Sequence, residues 1–373
     1  MLYLDNAATT RSKPPGVYSA MMKYALLGGG NAGRGNNKLS LGGIKTIIDT
    51  QESAAKLFGM KNESNIIFTQ NATYALNIAI LGTLNRSDHI VVTAMDHNSV
   101  LRPAVSHGNY SVASADKTGY VNPAEVRRRI KRNTRLVVCT HVSNVCGTIE
   151  DVAEMARAAH MNGALFLLDA SQSAGSLTVN MEEIGADMIA CPGHKGLMGP
   201  MGTGILCIRD PGKVKAVITG GTGSESENMR QPETMPDKFH CGTMNIPAIA
   251  GLREGIEFVL KEGAENIGKH EKMLSDIFRN NLHNMNGVIV YGRGDTGITA
   301  FNISGLDSAK AAEKLGKDII VRAGYHCAPL AHKALGTENG GSVRVSFGYF
   351  NTVSDVRRIT DAVYNIVLQN EML

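Results

Sequence analysis

Ala164-Leu165-Phe166-Leu167-Leu168-Asp169 is an unbroken apolar run closed by an aspartate. Past the apolar Met188-Ile189-Ala190 the chain then reads Cys191-Pro192-Gly193-His194-Lys195-Gly196-Leu197-Met198-Gly199-Pro200, with Lys195 twenty-six residues after that aspartate. A short apolar run without alternation fits a strand covered on both faces. Similar runs stand at 65–69, 89–93, 110–114, 136–140 and 204–208, with helical patterns at 43–58, 74–84, 122–132 and 150–162 between them. Strands alternating with helices describe a largely parallel, doubly wound sheet whose ligands gather at the carboxyl ends of the strands.

The polar groups just past those ends are His97, Asn144, Asp169, Gln172 and Lys195. Lys195 follows a buried strand on a backbone that glycine and proline force to turn. A lysine there suits Schiff-base chemistry with an aldehyde cofactor such as pyridoxal phosphate. An aspartate ending an apolar strand can keep a pyridine nitrogen protonated, and a histidine can stack on the ring or move protons. Upstream, the strand at 65–69 runs through Gln70-Asn71-Ala72-Thr73 into a helix, an arrangement that aims N–H groups and a helix dipole at an anion such as phosphate.

Towards the carboxyl end, residues 219–245 carry little regular pattern and include Gly242-Thr243-Met244-Asn245; so long an irregular stretch reads as a functional loop. One long helix is expected over 247–283, with a change of domain. Strands are expected at 288–291, 298–303, 319–322 and 343–347, giving a small α+β unit. The large unit is then 15–246, and the small one 1–14 with 247–373. Within the small unit lies Arg322-Ala323-Gly324-Tyr325-His326-Cys327-Ala328-Pro329. His326 and Arg322 make an electropositive setting for a Cys327 thiolate. Arg344 is a charge inside a strand, suited as a planar fork for a carboxylate. The early Gly28-Gly29-Gly30-Asn31-Ala32-Gly33-Arg34-Gly35-Asn36-Asn37 follows no strand, so it is no dinucleotide fingerprint; it reads as a connector or as a mobile loop lining a site.

Composition narrows the class. With 43% hydrophobic and 19% charged residues, the 373-residue chain supports a large core rather than disorder. A net charge of +4 implies no nucleic-acid partner, and no apolar run approaches the ~20 residues of a membrane span. Six cysteines without a C-x-x-C pair argue against a zinc site and against a disulfide framework. With no secretory signal in Met1-Leu2-Tyr3-Leu4-Asp5-Asn6, a reducing cytoplasm is the expected compartment.

From Tyr3-Leu4-Asp5-Asn6-Ala7-Ala8-Thr9-Thr10, through Gly193-His194-Lys195, to Arg322–Cys327 and Tyr349-Phe350-Asn351-Thr352, the chain resembles the cysteine desulfurase and selenocysteine lyase family. This is the class V branch of fold-type I pyridoxal-phosphate enzymes. The resemblance implies a large, mostly parallel sheet domain and a smaller C-terminal α+β domain. It implies that Lys195 holds the cofactor, His97 stacks on its ring, Asp169 pairs with the pyridine nitrogen, and Asn144 and Gln172 contact the ring's oxygen side. Ala72, Thr73 and His194 would hold the phosphate, helped by Thr243 from the second subunit of a homodimer. Arg344, with Asn144, would bind the substrate carboxylate. Cys327 would accept sulfur from L-cysteine as a persulfide, leaving L-alanine, and pass it to an acceptor protein. A selenocysteine lyase, and a Cβ–S lyase or transaminase on the same cofactor site, stay open beside this. Three positions depart from the family pattern: Pro192 where a serine is common, His240-Cys241 before Gly242, and Asn36-Asn37 where a histidine often follows Arg-Gly.

Overall fold

The computed structural model describes residues 1–32, 37–316 and 318–371, so Gly33 to Asn36 of the glycine-rich loop lie outside the described residues. Its strands are β1 (Leu2–Tyr3), β2 (Ile66–Thr69), β3 (His89–Thr93), β4 (Tyr110–Ala113), β5 (Thr134–Thr140), β6 (Leu165–Asp169), β7 (Met188–Pro192), β8 (Gly204–Ile208), β9 (Val288–Tyr291), β10 (Ile298–Ile303), β11 (Ile319–Ile320), β12 (Arg322–Gly324) and β13 (Ser342–Ser346).

Seven of them form one sheet in the order β2-β8-β7-β6-β5-β3-β4. Only β8 runs against the rest, because β7 returns directly through residues 193–203 without a crossover helix. The apolar runs are explained by burial on both faces. Phe166 and Leu168 join Phe58, Met155 and Leu252 on one side; Leu165 and Leu167 join Leu76, Ile80 and Leu101 on the other. Each such side chain contributes roughly 1.5–3 kcal/mol when fully buried.

A second, antiparallel sheet has the order β12-β13-β10-β9, and β1 pairs with β11 in parallel. The stretch 247–283, expected as one helix, is two, Ile246–Glu262 and Ala264–His283, because Gly263 adopts φ 83°. That backbone is left-handed and ends a right-handed helix at little cost only in glycine. The change of core falls there as well. Ile249, Leu252 and Ile256 pack under the large sheet, whereas Leu274, Phe278 and Leu282 pack under the small one. The strand expected at 319–322 is likewise split at Val321, its halves β11 and β12 serving different sheets. Among the described residues no helix is long and apolar enough to cross a membrane.

The irregular segment is anchored by the pair that departs from the family pattern. His240 is buried, its Nε2 accepts the Phe68 N–H at 2.9 Å, and its ring lies parallel to the Phe68 ring. It thereby covers the outer edge of β2, a row of groups otherwise open to pairing. Burial lowers the His240 pKa to about 4, against about 6.5 in the unfolded chain. A depressed pKa means that this stabilisation is present above pH 6.5 and is lost as the pH falls towards 4. His240→Leu is expected to cost about 1–3 kcal/mol at pH 7.5, since the Phe68 N–H is left unpaired. In urea titrations the gap to the parent should narrow by about 2 kcal/mol at pH 5. A gap that does not change with pH would rule out a neutral His240 as the acceptor.

Candidate active site

The carboxyl ends of β2, β3, β5, β6 and β7 open into a cavity of about 220 Å³. Ala72, Thr73, His97 and Asn144 line it, and so do Asp169, Gln172, His194 and Lys195. Eight of the residues singled out in the sequence therefore meet in one place. Thr243, Cys327 and Arg344 are not in the lining.

One end of the cavity is built for an anion. The Asn71 side chain caps the helix Ala72–Thr83 by accepting from the Tyr74 N–H at 3.1 Å. The first-turn N–H groups of Ala72 and Thr73 have no carbonyl behind them in the helix and carry its positive dipole end. His194 lines the cavity too. Its Nδ1 is buried without a partner among the described residues, and burial, reinforced by Lys195 and Lys13, lowers its pKa to about 4.

The middle of the cavity holds Asp169, His97 and Lys195. Asp169 is 2% exposed, and its Oδ1 accepts the Ser171 N–H at 2.9 Å. His97 is the N-cap of the helix Asn98–His107; its Nδ1 accepts the Ser99 N–H at 3.0 Å. A backbone N–H only donates, so the neutral ring carries its proton on Nε2. Burial lowers the His97 pKa, with Asp169 opposing. Lys195 sits where two backbones touch: a Cβ on Gly175 would strike the Gly196 carbonyl, and one on Gly196 would strike that of Ala174. This turn needs glycine on both sides. Burial lowers the Lys195 pKa to about 8, again against the pull of Asp169.

The far end joins the two sheets. Arg344 is 2% exposed and donates from Nη1 to the Asn144 carbonyl at 2.7 Å and from Nη2 to Asp5 Oδ1 at 2.7 Å. Its Nε is buried without a partner among the described residues. Gln172 Nε2 donates to the Ala7 carbonyl at 2.9 Å, and Thr10 Oγ1 to the Lys195 carbonyl at 2.9 Å. The amino-terminal segment thus stitches the small sheet to the lysine turn. Asp5 carried a signal, an acid ending the apolar Leu2-Tyr3-Leu4, but its partner Arg344 is remote in sequence. Ser99 and Lys13, which donates to the His194 carbonyl at 2.7 Å, carried none.

Cys327 is exposed on a turn in which His326 (φ 47°) and Cys327 (φ 60°) are both left-handed. Non-glycine residues there cost on the order of 1–2 kcal/mol each. The turn is held by Asn98 N–H on the Cys327 carbonyl at 2.8 Å and Asn144 Nδ2 on the His326 carbonyl at 2.6 Å. The electropositive contribution expected of His326 is absent. Its ring is buried on the Ser342 carbonyl (3.0 Å), and burial, with Arg344 nearby, lowers its pKa to about 2, so it is neutral. Thr243 is exposed on the irregular segment.

Residues 2–359 match the family model for class-V aminotransferases. A protein of Methanothermobacter thermautotrophicus named a probable cysteine desulfurase is 36% identical, with 98% of this chain and 94% of that one aligned. The cysteine desulfurase of Haloferax volcanii is 29% identical over 97% of this chain and 88% of its own. The solved apo cysteine desulfurase of Thermococcus onnurineus superposes with a TM-score of 0.92 at 31% identity, covering 99% of this chain and 95% of that one.

Proposed function

Because this chain belongs to the class-V aminotransferase family, we propose that it is a pyridoxal-phosphate-dependent cysteine desulfurase, leaving L-alanine and a persulfide on Cys327. The observation that carries this reading is the seat of the Cys327 turn. An exposed thiol is tied through backbone carbonyls to Asn144, which lines the cavity, and to Asn98, next to His97. A transaminase has no use for that thiol.

The residues fit the cofactor: an orphaned His194 Nδ1 and a helix amino terminus for a phosphate, a buried carboxylate for a ring nitrogen, and an amine of lowered pKa for an aldehyde. When bound, pyridoxal phosphate supplies a protonated ring that draws electrons from the substrate Cα. Ala72, Thr73 and His194 would hold the phosphate, Asp169 would keep the proton on the ring nitrogen, and His97 would pack on the ring. Gln172 and Asn144 would serve the ring's oxygen side. Arg344 receives the substrate carboxylate through its unpaired Nε and the Asn144 amide, because Asp5 and the Asn144 carbonyl leave that donor unspent. Lys195, its amine free from about pH 8, takes the Cα proton. Cys327 Sγ then attacks the substrate sulfur: the S–S bond forms, the C–S bond breaks, and the electron pair stays on carbon; Cβ takes the proton the thiol gave up and Lys195 returns its proton to Cα, which completes alanine. The test is the mass of the Cys327 peptide after exposure of the loaded protein to L-cysteine. A peptide heavier by one sulfur supports the reading, and alanine formation without it removes it.

The same reading makes the enzyme a cytoplasmic homodimer that hands sulfur to an acceptor protein, with Thr243 reaching the partner's phosphate. The exposure of Thr243 on its own subunit supports this. Mixing Lys195→Ala with Thr243→Val puts both lesions in one site of a mixed dimer and leaves the other intact. Equal mixing should restore about a quarter of the parent's sites. No recovery after verified subunit exchange would exclude a shared site.

A further inference from the structure

Ser99 lines the same cavity from the second position of the helix Asn98–His107, and it is 9% exposed. Its Oγ lies 2.9 Å from Thr73 Oγ1 and 2.8 Å from His97 Nδ1. The imidazole Nδ1 has a single lone pair in the ring plane, and the Ser99 N–H already donates to it at 3.0 Å. The Ser99 hydroxyl is therefore redundant for His97 and is the group that can turn elsewhere. Beside it is Thr73, on the capped helix end; Pro192 lines the same cavity yet has neither a hydroxyl nor an N–H to offer an anion.

We infer that Ser99 is a phosphate-binding residue, its hydroxyl joining that of Thr73 as a paired donor to the phosphoryl group at the amino terminus of the helix Ala72–Thr83. This rests on the pyridoxal-phosphate reading above and extends it to a side chain on a second helix. It also gives the site a hydroxyl that position 192 cannot supply. The two oxygens stand at hydrogen-bonding distance from one another, so each can direct its proton to a different phosphoryl oxygen while an anion occupies the space. Because the backbone N–H keeps hold of His97, removing the hydroxyl leaves the ring in place.

The test uses equilibrium binding to the apoprotein, followed by absorbance, with pyridoxal phosphate and with pyridoxal, which lacks the phosphate. Ser99→Ala should weaken pyridoxal phosphate about tenfold or more, the loss expected for one hydrogen bond to a charged group. Pyridoxal should bind within about twofold of the parent. Ser99→Thr should recover most of the phosphate-dependent affinity. Equal affinity of Ser99→Ala and parent for pyridoxal phosphate overturns the assignment. An equal loss for both ligands also overturns it, since that marks a merely structural role. A parent apoprotein that prefers neither ligand defeats the cofactor reading itself, an outcome separable from the other two.

Discussion

Lys195→Ala is expected to bring turnover of L-cysteine down by about 10³-fold or more, the scale for removing a positioned proton-transfer group, and to abolish covalent cofactor retention. The lysine turn packs closely on Ala174-Gly175, and the Lys195 carbonyl accepts from Thr10 Oγ1 and the Met198 N–H, so the loss of the side chain leaves the backbone in place. Borohydride reduction followed by peptide mapping reads the result. In the parent the label should fall on Lys195, and trapping should rise through about pH 8, because burial holds that amine below its ordinary value. The competitor is Lys13, whose pKa burial also lowers to about 8 and whose Nζ rests on the His194 carbonyl. A label on Lys13, or trapping that persists in Lys195→Ala, would refute the assignment.

Cys327→Ser should retain the cofactor and lose the sulfur chemistry. A hydroxyl is too weakly acidic to attack sulfur at neutral pH, so sulfide and alanine release should fall together by about 10²-fold or more. The other cysteines offer no substitute. Cys139, Cys146, Cys191 and Cys207 are buried with their thiols pushed up by burial, and Cys241 is half-covered with its Sγ on the Ile218 carbonyl. Changed singly, each should leave the persulfide on the Cys327 peptide. Selenocysteine turnover that survives in Cys327→Ser would point to a lyase acting on selenium, whose leaving ability needs no thiolate. Sulfide release from cysteine at the parent rate would make the enzyme a Cβ–S lyase.

The large sheet was legible because its signal is local. Phe166 and Leu168 face one layer and Leu165 and Leu167 the other, so a fully apolar run announces a strand between two layers. The strand ends followed, and with them most of the cavity. What could not be read depends on distance or on backbone angles. Gly263 stands in a helical pattern and breaks it only through a positive φ. Val321 divides a strand because its two sides find different partners. His326 reads as a cation beside Cys327 until burial makes it neutral. Ser99 is an ordinary helix-start serine in sequence, and only the approach of Thr73 from another helix marks it.

Asp5 meets Arg344 across 339 residues, and Asn6 bonds to Ser346 across 340. During translation Asp5 and Asn6 leave the ribosome well before their partners in β13. At roughly 5–20 residues per second they wait on the order of 20–70 s. In that interval the large sheet and the lysine turn already have all their residues. A stretch made before the large sheet is therefore locked after it. A nascent chain stalled just before residue 344 carries Lys195, Asp169 and even Cys327, but Asp5 then has only the more distant Arg322 guanidinium (3.7 Å when folded) to meet, not that of Arg344 (2.7 Å).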